Sequence, residues 1–599
     1  MNGRLTYLFR FFLLTVAIFI AAKWCFMLIH HENPFGFIDL LLVPYHGLSL
    51  DLSTALYFLI IPVLLTITAS IIRLPQWVFR GYYILVAVVF ALVFIADTSL
   101  YSFWRFKLDA SCLQYLETPT EAMASVSTGY LIGRIVLWVV LSWGIYTAYS
   151  RLVKTPPMLG AKWWNGGIYL LLAAVMVVGI RGGLGESTTN IGQVYFSQNQ
   201  FLNHSAVNPV FSFLASLGKS GDYLVSYDYF TEEECQKLTN EHFTTESIHT
   251  DTLLNTTRPN IVIIMMESCG GQFTAIGGHP EITPRLNQLT HEGIDFTECY
   301  ANSWRTDKAV VSILSGYPAF PITSVMKVPE KSRKLPSIAA SLQAEGYSTS
   351  FFYGGDINFT NMRSYVMGTG YERLRWKNDF TRQEQQTSQW GVRDDIMLNV
   401  LLQDIQAEQQ QPWMKTLLTL SSHEPWDVPT KELEDEVYNA FHYLDRCVGQ
   451  FIDHLRQMPQ WNNTLVILLP DHGYRYQGID ESTRLYNHIP MIWVGGAVKE
   501  ARKIQRVCNQ SDLAATLLGQ MGIDHRDFTF SRDVLSQSNQ SQIAWHTYNN
   551  GVSLFTPTDF MAYDLDVNQF VATEGTAASD LLPLAKALLQ QTSHDLIAK

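Results

Sequence analysis

Long apolar runs dominate the first third of the chain. Each is close to the roughly 20 residues that an α-helix needs to cross the hydrocarbon core of a bilayer. The five runs cover residues of about 7–30, 54–72, 81–102, 130–149 and 163–180. A signal peptide explains the first run poorly, because this run is long, lacks an obvious small-residue cleavage site and is followed by four more. The pattern predicts a five-helix transmembrane domain over residues 1–182.

Basic residues lie on alternate sides of these runs. They precede the first run, separate the second from the third and separate the fourth from the fifth: Arg4, Arg10, Arg73, Arg80, Arg151, Lys154 and Lys162. Because cytoplasmic loops are enriched in Lys and Arg, the N-terminus is predicted to be cytoplasmic. An odd number of crossings then places everything after residue 182 outside, where ATP is not available. Asp51 lies where the second run begins, and helix N-capping accounts for it.

Residues 183–257 are less apolar than the runs before them. The stretch YFSQNQFLNHSAVNPVFSFLASL mixes aromatic with polar residues, and a segment rich in Glu, Asn and Thr follows. Such a mixture is typical of an amphipathic segment that lies along a membrane surface. We therefore predict an amphipathic linker over 183–257.

From residue 258 onwards, short β-branched runs alternate with helix-like stretches. The runs are NIVIIMMES, KTLLTLSSHEPW and TLVILLPDHG, and the helical stretches between them include TPRLNQLTHEG and NAFHYLDRCVGQFIDHLRQ. Strands that alternate with helices predict an α/β domain with a mostly parallel central sheet, which we assign to residues 258–540. The tail, residues 541–599, reads as extra strands packed on this domain.

Three of these strands end in acidic or histidine-bearing turns. Glu267 follows the first, His423 follows the second, and Asp471 with His472 follows the third. Ligands bind at the carboxyl ends of the strands in such sheets, so these side chains can converge. Carboxylates and an imidazole suit a divalent metal. Each residue taken singly is equally compatible with an ordinary turn or cap.

A candidate nucleophile lies in NSWRTDKAVVSILSGYP. This segment runs from a polar turn into an apolar stretch typical of a helix, so Thr306 is expected near a helix N-terminus, where backbone N–H groups favour an anion. A threonine hydroxyl is a weak nucleophile until a metal or base activates it. A plain N-cap role for Thr306 stays open at this point.

The net charge and the cysteine spacing argue against some classes of partner and site. The chain carries a net charge of −12, with +5 in residues 1–182 and −17 in the remainder, which argues against nucleic acid as a partner. The seven cysteines are scattered and never spaced as CxxC, so they predict neither a disulfide framework nor a zinc–thiolate site.

Together these motifs resemble the lipoteichoic acid synthase and phosphoglycerol transferase family, which has a sulfatase-like domain and belongs to the alkaline phosphatase superfamily. The most specific matches are IVIIMMES, NSWRTDKAVVSILSGYP, LTLSSHEPW and LLPDHG, in this order, and GLSLDLSTALY and FSQNQFLNHSAVNP add to them. The resemblance covers nearly the whole chain. It implies a fold with an N-terminal five-helix transmembrane domain and an α/β sulfatase-like extracytoplasmic domain.

The resemblance also implies roles for individual residues. Thr306 corresponds to the nucleophile, which also touches the metal, and Glu267, Asp471 and His472 correspond to metal ligands. His423 corresponds to a histidine that binds substrate.

Three further residues are weaker candidates for the substrate site. Arg363 lies where the family has a Trp–Arg pair that holds glycerol phosphate, but no tryptophan accompanies it here, which puts the donor in doubt. Trp390, in QWGVRDD, resembles a family element near the site. His488 lies where related two-metal enzymes have an extra ligand, and a hydrogen-bonded histidine beside the site is the alternative.

The implied activity is the transfer of glycerol phosphate from phosphatidylglycerol to a glycan or polyol-phosphate acceptor through a covalent threonine intermediate. The implied cofactor is a divalent metal, with manganese preferred and magnesium or zinc as alternatives. The implied location is the bacterial cytoplasmic membrane, with the catalytic domain on the periplasmic or extracellular side.

Three other activities need weighing. A phosphoethanolamine transferase would use the same chemistry, and a non-catalytic lipid-sensing homologue would have lost the metal ligands. A sulfatase would need Cys or Ser in a C/S-x-P/A-x-R pattern, whereas this segment reads Arg305-Thr306-Asp307-Lys308.

Overall fold

The structure is a computed structural model that describes residues 2–104, 107–108, 112, 128–160, 162, 164–197, 199–217, 224–243, 250–548 and 551–599. The chain divides into two compact units, Met1–Gly221 and Asp222–Lys599. We call them the membrane unit and the catalytic-fold unit and describe each by itself.

The membrane unit is helical. Its described helices are α1 (Asn2–Ile29), α2 (Asp39–Ile71), α3 (Gln76–Trp104), α4 (Thr128–Leu152), α5 (Asn165–Arg181), α6 (Gln200–Ala206) and α7 (Pro209–Leu217). The first four are long and apolar enough to cross a membrane, and α5 is a shorter apolar helix of 17 residues. Four of the five predicted spans are therefore found at full length, and the fifth is found as a shorter helix.

Helix α2 begins earlier than its apolar run predicts. It starts at Asp39 and contains Asp51 in its interior, so the expectation that Asp51 caps a helix is wrong. The carboxylate of Asp51 instead forms a buried ion pair with Lys23 of α1 and accepts a hydrogen bond from Asn208 Nδ2 at 2.8 Å. Polar residues before the apolar run thus have partners elsewhere in the membrane unit, including Asp51 with Lys23 and Ser49 with Gln193.

The stretch predicted as a surface linker is divided between the two units. Helices α6 and α7 belong to the membrane unit, where Phe201, Leu202 and His204 are buried. The side chain of Asn203 accepts the backbone N–H groups of Phe196 and Ser197 at 2.8 and 2.9 Å. The polar residues of this stretch thus satisfy backbone groups inside the unit, which a pattern of mixed polarity does not distinguish from a surface helix.

The catalytic-fold unit alternates strands and helices. Its described helices are α8 (Glu232–Thr239), α9 (Pro284–Glu292), α10 (Thr306–Ser315), α11 (Pro329–Ser332), α12 (Ile338–Ala344), α13 (Met362–Gly368), α14 (Arg382–Gln385), α15 (Asp394–Ala407), α16 (Glu436–Arg456), α17 (Arg484–Asn487), α18 (Leu513–Gln520) and α19 (Leu582–Ala598). The strands of its large sheet are β1 (Asn260–Met266), β2 (Ile294–Tyr300), β3 (Ser348–Tyr353), β4 (Arg373–Trp376), β5 (Trp413–Leu418), β6 (Thr464–Pro470), β7 (His488–Val494), β8 (Arg502–Ile504) and β9 (Cys508–Asn509).

The large sheet runs in the order β4-β3-β5-β1-β6-β7-β2-β8, with β9 also paired to β2. Strand β7 pairs antiparallel with both neighbours, and the other described pairings are parallel. The prediction of a mostly parallel central sheet is confirmed. The three strands read from the sequence, β1, β5 and β6, lie side by side at its centre.

Both faces of the large sheet are buried. Alternate residues of β1 enter two separate apolar clusters: Ile261, Ile263 and Met265 face one, whereas Val262, Ile264 and Met266 face the other. Strands buried on both sides read as continuous apolar runs, which explains why the central strands are recognisable in the sequence.

The tail forms a second sheet. Strands β10 (Ala544–Tyr548), β11 (Gly551–Phe555), β12 (Phe560–Asp564) and β13 (Gln569–Glu574) pair antiparallel in this order. The Thr547 N–H donates to the carbonyl oxygen of Asn302 at 2.9 Å. Because Asn302 lies just before α10, the small sheet supports the segment that leads into Thr306.

Candidate active site

Two acidic residues follow directly after the paired ends of β1 and β6. Met266 and Pro470 are partners in the parallel ladder, so Glu267 and Asp471 emerge next to each other at the carboxyl edge of the sheet. His472 comes next in the chain. One ligand atom from each of Glu267, Asp471 and His472 lies within 4.8 Å of the others, and all three residues are buried.

Hydrogen bonds hold the two carboxylates in place. Asp471 Oδ1 accepts the backbone N–H groups of Ser268 and His472, both at 2.8 Å. Glu267 Oε1 accepts the Ser268 hydroxyl at 2.7 Å, and the Glu267 N–H donates to Thr419 Oγ1 at 2.9 Å. The Asp471 carboxylate is thus held by two backbone N–H groups, and the Glu267 carboxylate by the Ser268 hydroxyl.

His472 presents one ring nitrogen to the carboxylates. Its Nδ1 donates to the carbonyl oxygen of Gly473 at 2.7 Å, which leaves Nε2 as the acceptor. Nε2 lies 3.4 Å from Asp471 Oδ2 and 3.8 Å from Glu267 Oε1. Burial acts to lower the pKa of His472, but the carboxylates of Asp471 and Glu267 raise it above its ordinary value.

The carboxylates of Glu267 and Asp471 repel each other, and a positive charge between them would offset this repulsion. Burial and the charge of Glu267 raise the pKa of Asp471. Burial acts in the same direction on Glu267, but His472 and His423 lower its pKa below the ordinary value. Asp471 Oδ2 is buried and accepts no hydrogen bond from the described residues. An orphaned carboxylate oxygen beside a second carboxylate and an imidazole acceptor fits a divalent cation.

Thr306 lies at the same place, on the first turn of α10. Its Oγ1 lies 3.3 Å from Glu267 Oε2 and 3.3 Å from His472 Nε2. The N–H groups of the first helical turn have no partner within the helix, so the hydroxyl stands where an anion is stabilised. The expectation from the sequence that Thr306 begins a helix agrees with the structure.

The residues that flank Thr306 hold the start of α10. Asp307 is buried, and although burial acts to raise its pKa, Lys327 and Arg305 lower it. Lys308 donates from Nζ to the carbonyl oxygens of Phe320 and Pro321 at 2.6 and 2.7 Å, and burial lowers its pKa to about 8. These buried charges tie the first turn of α10 to the loop that follows the helix.

The site opens into a cavity of about 500 Å³ with aromatic walls. Its lining combines three of the four central residues with tryptophan, tyrosine, phenylalanine and arginine side chains. Besides Glu267, Thr306 and His472, it includes Trp304, Arg305, Tyr353, Phe359, Thr360, Met362, Trp390, His423, Glu424, Tyr474, Arg475, Glu481 and Tyr486. This volume is within the usual range for small-molecule sites.

Trp390 and His423 form one wall of this cavity. Their ring centroids lie 4.4 Å apart, and the indole N–H of Trp390 donates to the carbonyl oxygen of Glu424 at 2.6 Å. His423 Nδ1 donates to the same carbonyl oxygen at 2.8 Å. The structure therefore brings both predicted substrate-binding residues to the cavity and holds them against one backbone group.

Two predicted site residues lie elsewhere. Arg363 does not line the cavity, and its guanidinium lies 5.8 Å from the ring centroid of Trp376. His488 stacks on Tyr300, and its Nε2 contacts the carbonyl oxygen of Thr297 at 2.7 Å. The His488 side chain is thus engaged by Thr297 and Tyr300.

Other cavity residues were not singled out from the sequence. Trp304 and Arg305 directly precede Thr306, and Tyr474 and Arg475 follow Asp471-His472-Gly473. Their proximity in sequence to the motif residues is a signal that could have found them. Glu481 lies further along the chain and Tyr486 lies in α17, and neither carries such a signal.

Comparisons with known proteins agree with this fold. Residues 259–523 match the sulfatase family model. Lipoteichoic acid synthase 2 of Bacillus subtilis (strain 168) is 23% identical over 292 residues, which cover 44% of this chain and 45% of that protein. Phosphoglycerol transferase I of Xanthomonas campestris pv. campestris (strain B100) is 23% identical over 302 residues, 47% of this chain and 43% of that protein. The chain thus spans less than half of the length of these two relatives.

Two solved structures also resemble this chain in fold. A protein of the alkaline phosphatase superfamily from Vibrio parahaemolyticus is 25% identical and superimposes with a TM-score of 0.53, covering 62% of this chain and 98% of that one. The lipoteichoic acid synthase of Listeria monocytogenes, at 18% identity and a TM-score of 0.50, covers 61% of this chain and 98% of that one and shares the fold. Residues 259–523 therefore form a sulfatase domain, and this part of the chain is similar to lipoteichoic acid synthases, to phosphoglycerol transferases and to a protein of the alkaline phosphatase superfamily.

Proposed function

We propose that this protein is a membrane-bound, metal-dependent phosphoglycerol transferase. It takes glycerol phosphate from phosphatidylglycerol and passes it to an extracytoplasmic acceptor, a glycan or a polyol-phosphate chain. The observation that carries the proposal is the position of the Thr306 hydroxyl, at a helix N-terminus and 3.3 Å from both Glu267 Oε2 and His472 Nε2, beside a cavity with aromatic walls. The phosphoglycerol transferases among the relatives suggest the transferred group.

Glu267, Asp471, His472 and the Thr306 hydroxyl would hold the metal. A divalent cation there supplies a Lewis acid that polarises a phosphoryl oxygen and lowers the pKa of a neighbouring hydroxyl. The set of mostly oxygen donors with one imidazole favours manganese, with magnesium or zinc as alternatives.

Two exchanges at phosphorus complete the reaction. Thr306 Oγ1 forms a bond to the phosphorus of the lipid and loses its proton, the bond from phosphorus to the diacylglycerol oxygen breaks, and that oxygen takes up a proton. The acceptor hydroxyl then attacks the phosphoglycerol–threonine ester, and the Thr306 hydroxyl is restored. His423 lies on the cavity wall, where it can hold or protonate the leaving or entering oxygen.

The proposed direction of insertion depends on α5. Four crossings would return the chain to the side of the N-terminus, whereas a fifth would place the catalytic-fold unit outside. Helix α5 has 17 residues, which is at the lower limit for a spanning helix. Protease treatment of spheroplasts tests this directly: digestion of the catalytic-fold unit in intact spheroplasts is expected, and protection until lysis would contradict the fifth crossing.

The activity is tested with fluorescent phosphatidylglycerol and Mn²⁺ on the full chain in detergent. Release of diacylglycerol by the wild type and not by Thr306→Ala is expected. Intact-mass analysis of the wild type without acceptor should show one phosphoglycerol adduct, placed on Thr306 by peptide mapping. Cleavage of phosphatidylethanolamine in place of phosphatidylglycerol would instead identify a phosphoethanolamine transferase. Turnover of neither lipid by protein that binds Mn²⁺ would leave a lipid-sensing role.

A further inference from the structure

The membrane unit contains a second cavity, of about 330 Å³, that the proposed reaction does not use. Helices α1, α3 and α4 line it almost entirely with apolar side chains. The apolar lining residues are Ile18, Ala21, Ala22, Phe26, Ile29, Phe94, Ile95, Leu137, Leu141, Ile145, Val207 and Pro209. The apolar part of such a slot within a spanning helix bundle accommodates hydrocarbon.

Three charged side chains line the same slot. Lys23 lies about two turns before the end of α1, Asp97 lies about two turns before the end of α3, and Lys107 follows α3. All three are about 2% exposed. Because α1 and α3 run in the same direction, Lys23 and Asp97 approach the same end of the membrane unit, which is the outer end in the predicted orientation.

Each of the two lysines donates a hydrogen bond to a carboxylate, but not all of its N–H groups are used within the described residues. Lys23 donates to Asp51, and Lys107 donates to Asp97 and lies 3.6 Å from the ring centroid of Phe26. Each ammonium has three donors, and within the described part of the chain each makes one hydrogen bond to a carboxylate. Asp51 does not line the slot, so the charges that face it are two positive and one negative.

Buried charges in a membrane unit are costly and commonly mark a binding site. Charge complementarity selects the occupant: an apolar slot whose polar end carries a net positive charge and unused N–H donors fits a lipid with an anionic phosphodiester head group. We propose that this slot binds one anionic glycerophospholipid, with an acyl chain among α1, α3 and α4 and its phosphate at Lys23 and Lys107. This goes beyond the proposed function, because it assigns a lipid site that involves no residue of the catalytic-fold unit.

Native mass spectrometry of the full chain in detergent tests this site. The Thr306→Ala background prevents turnover, so the readout does not depend on the transferase activity. The probes are 1-palmitoyl-2-oleoyl phosphatidylglycerol and the matching phosphatidylcholine. One retained phosphatidylglycerol is expected, with at least five-fold higher occupancy than phosphatidylcholine, and equal retention of the two lipids would overturn the assigned head group.

Two tryptophan variants on one helix provide the matched comparison. Leu141→Trp fills the slot, whereas Val140→Trp adds the same bulk to a neighbouring side chain that is 56% exposed. Leu141→Trp should lower phosphatidylglycerol occupancy at least five-fold and Val140→Trp should leave it unchanged. Equal occupancy in the two variants would overturn the slot as the binding site.

A third variant tests the polar end. Asp97→Asn combined with Lys107→Gln removes both members of one ion pair, so no lone charge stays buried. We expect this variant to keep its elution volume in gel filtration and to prefer phosphatidylglycerol less strongly than the Thr306→Ala protein does, because Lys23 is then the one cation left at the slot among the described lining residues. An undiminished preference for phosphatidylglycerol in this variant would contradict the role of Lys107.

Discussion

The hydroxyl oxygen of Thr306 lies 3.3 Å from Nε2 of His472, across the boundary between a helix start and a strand end. If Thr306 is the nucleophile, Thr306→Ala should lower diacylglycerol release from phosphatidylglycerol by a factor on the order of 10³ or more, because the attacking atom is gone. Thr306→Ser keeps the hydroxyl and should retain activity within about ten-fold of the wild type. Equal loss in the two variants would point to a structural role of the threonine methyl group.

The carboxylate of Asp471 is expected to be essential for metal binding but not for folding. A ligand that binds only the folded state stabilises it by about 2.7 kcal/mol at a hundred-fold excess over Kd, so Mn²⁺ should raise the Tm of the wild type. Asp471→Asn keeps the Oδ1 acceptor for Ser268 and His472 and removes the repulsion with Glu267. Its metal-free Tm should match or exceed that of the wild type, and its response to Mn²⁺ should disappear. A metal-free Tm well below the wild type would contradict this account.

Trp390 is expected to act through the position of His423. Trp390→Ala removes the ring that packs 4.4 Å from His423 and should lower kcat/KM about 10- to 100-fold. Trp390→Phe keeps a ring and loses only the hydrogen bond to Glu424, so its loss should be smaller. Steady-state kinetics at varied lipid concentrations separate the effect on kcat from the effect on KM. A wild-type kcat/KM in Trp390→Ala would exclude a role for this wall of the cavity.

The raised pKa of Asp394 leads us to predict that the free energy of unfolding depends on pH. It lies behind the turn that carries His423, where its carboxylate accepts the N–H groups of Leu420 and Ser421 at 2.8 and 3.0 Å. Burial raises its pKa from 3.8 to about 6, against the effect of these hydrogen bonds. Since the folded-state pKa is the higher one, the stability that this group contributes is present below about pH 4 and is lost as the pH rises through 6.

Asp394→Asn provides the test of this shift. The variant does not titrate and leaves one N–H without an acceptor, so it should be less stable than the wild type at pH 4.5. The difference should shrink by about 2 kcal/mol between pH 4.5 and pH 7.5, because the wild type then carries a buried charge. Denaturant unfolding of the full chain, followed by tryptophan fluorescence at several pH values, measures it. Parallel curves for the two proteins would show that the pKa of Asp394 is not raised.

The central strands and the first turn of α10 could be predicted because their signals are local. Strand β1 is a continuous apolar run that ends at Glu267, and an apolar stretch follows Thr306 directly. Side chains whose position depends on distant partners could not be predicted in this way. Asp51 was interpreted as a cap because its partner Lys23 lies 28 residues away on another helix.

Arg363 and Tyr486 illustrate the same limit within the site. Arg363 has a suitable chemistry and place in the sequence, but the packing of its side chain near Trp376 removes it from the cavity. Tyr486 lines the cavity because the loop before β7 folds back over Gly473, and no periodic pattern marks such a return.

The register between β1 and β6 has a consequence for how this protein can diverge. Glu267 and Asp471 each stand one residue beyond a paired strand end, so a slip of either strand by one residue would turn a ligand to the opposite face of the sheet. The positions of these two candidate ligands thus depend on the packing of the hydrophobic core around β1 and β6, which tolerates little change. The segments that bear Phe359 and Tyr486 carry no such constraint, so substitution there can change the proposed lipid donor or acceptor while the proposed chemistry at Thr306 stays the same.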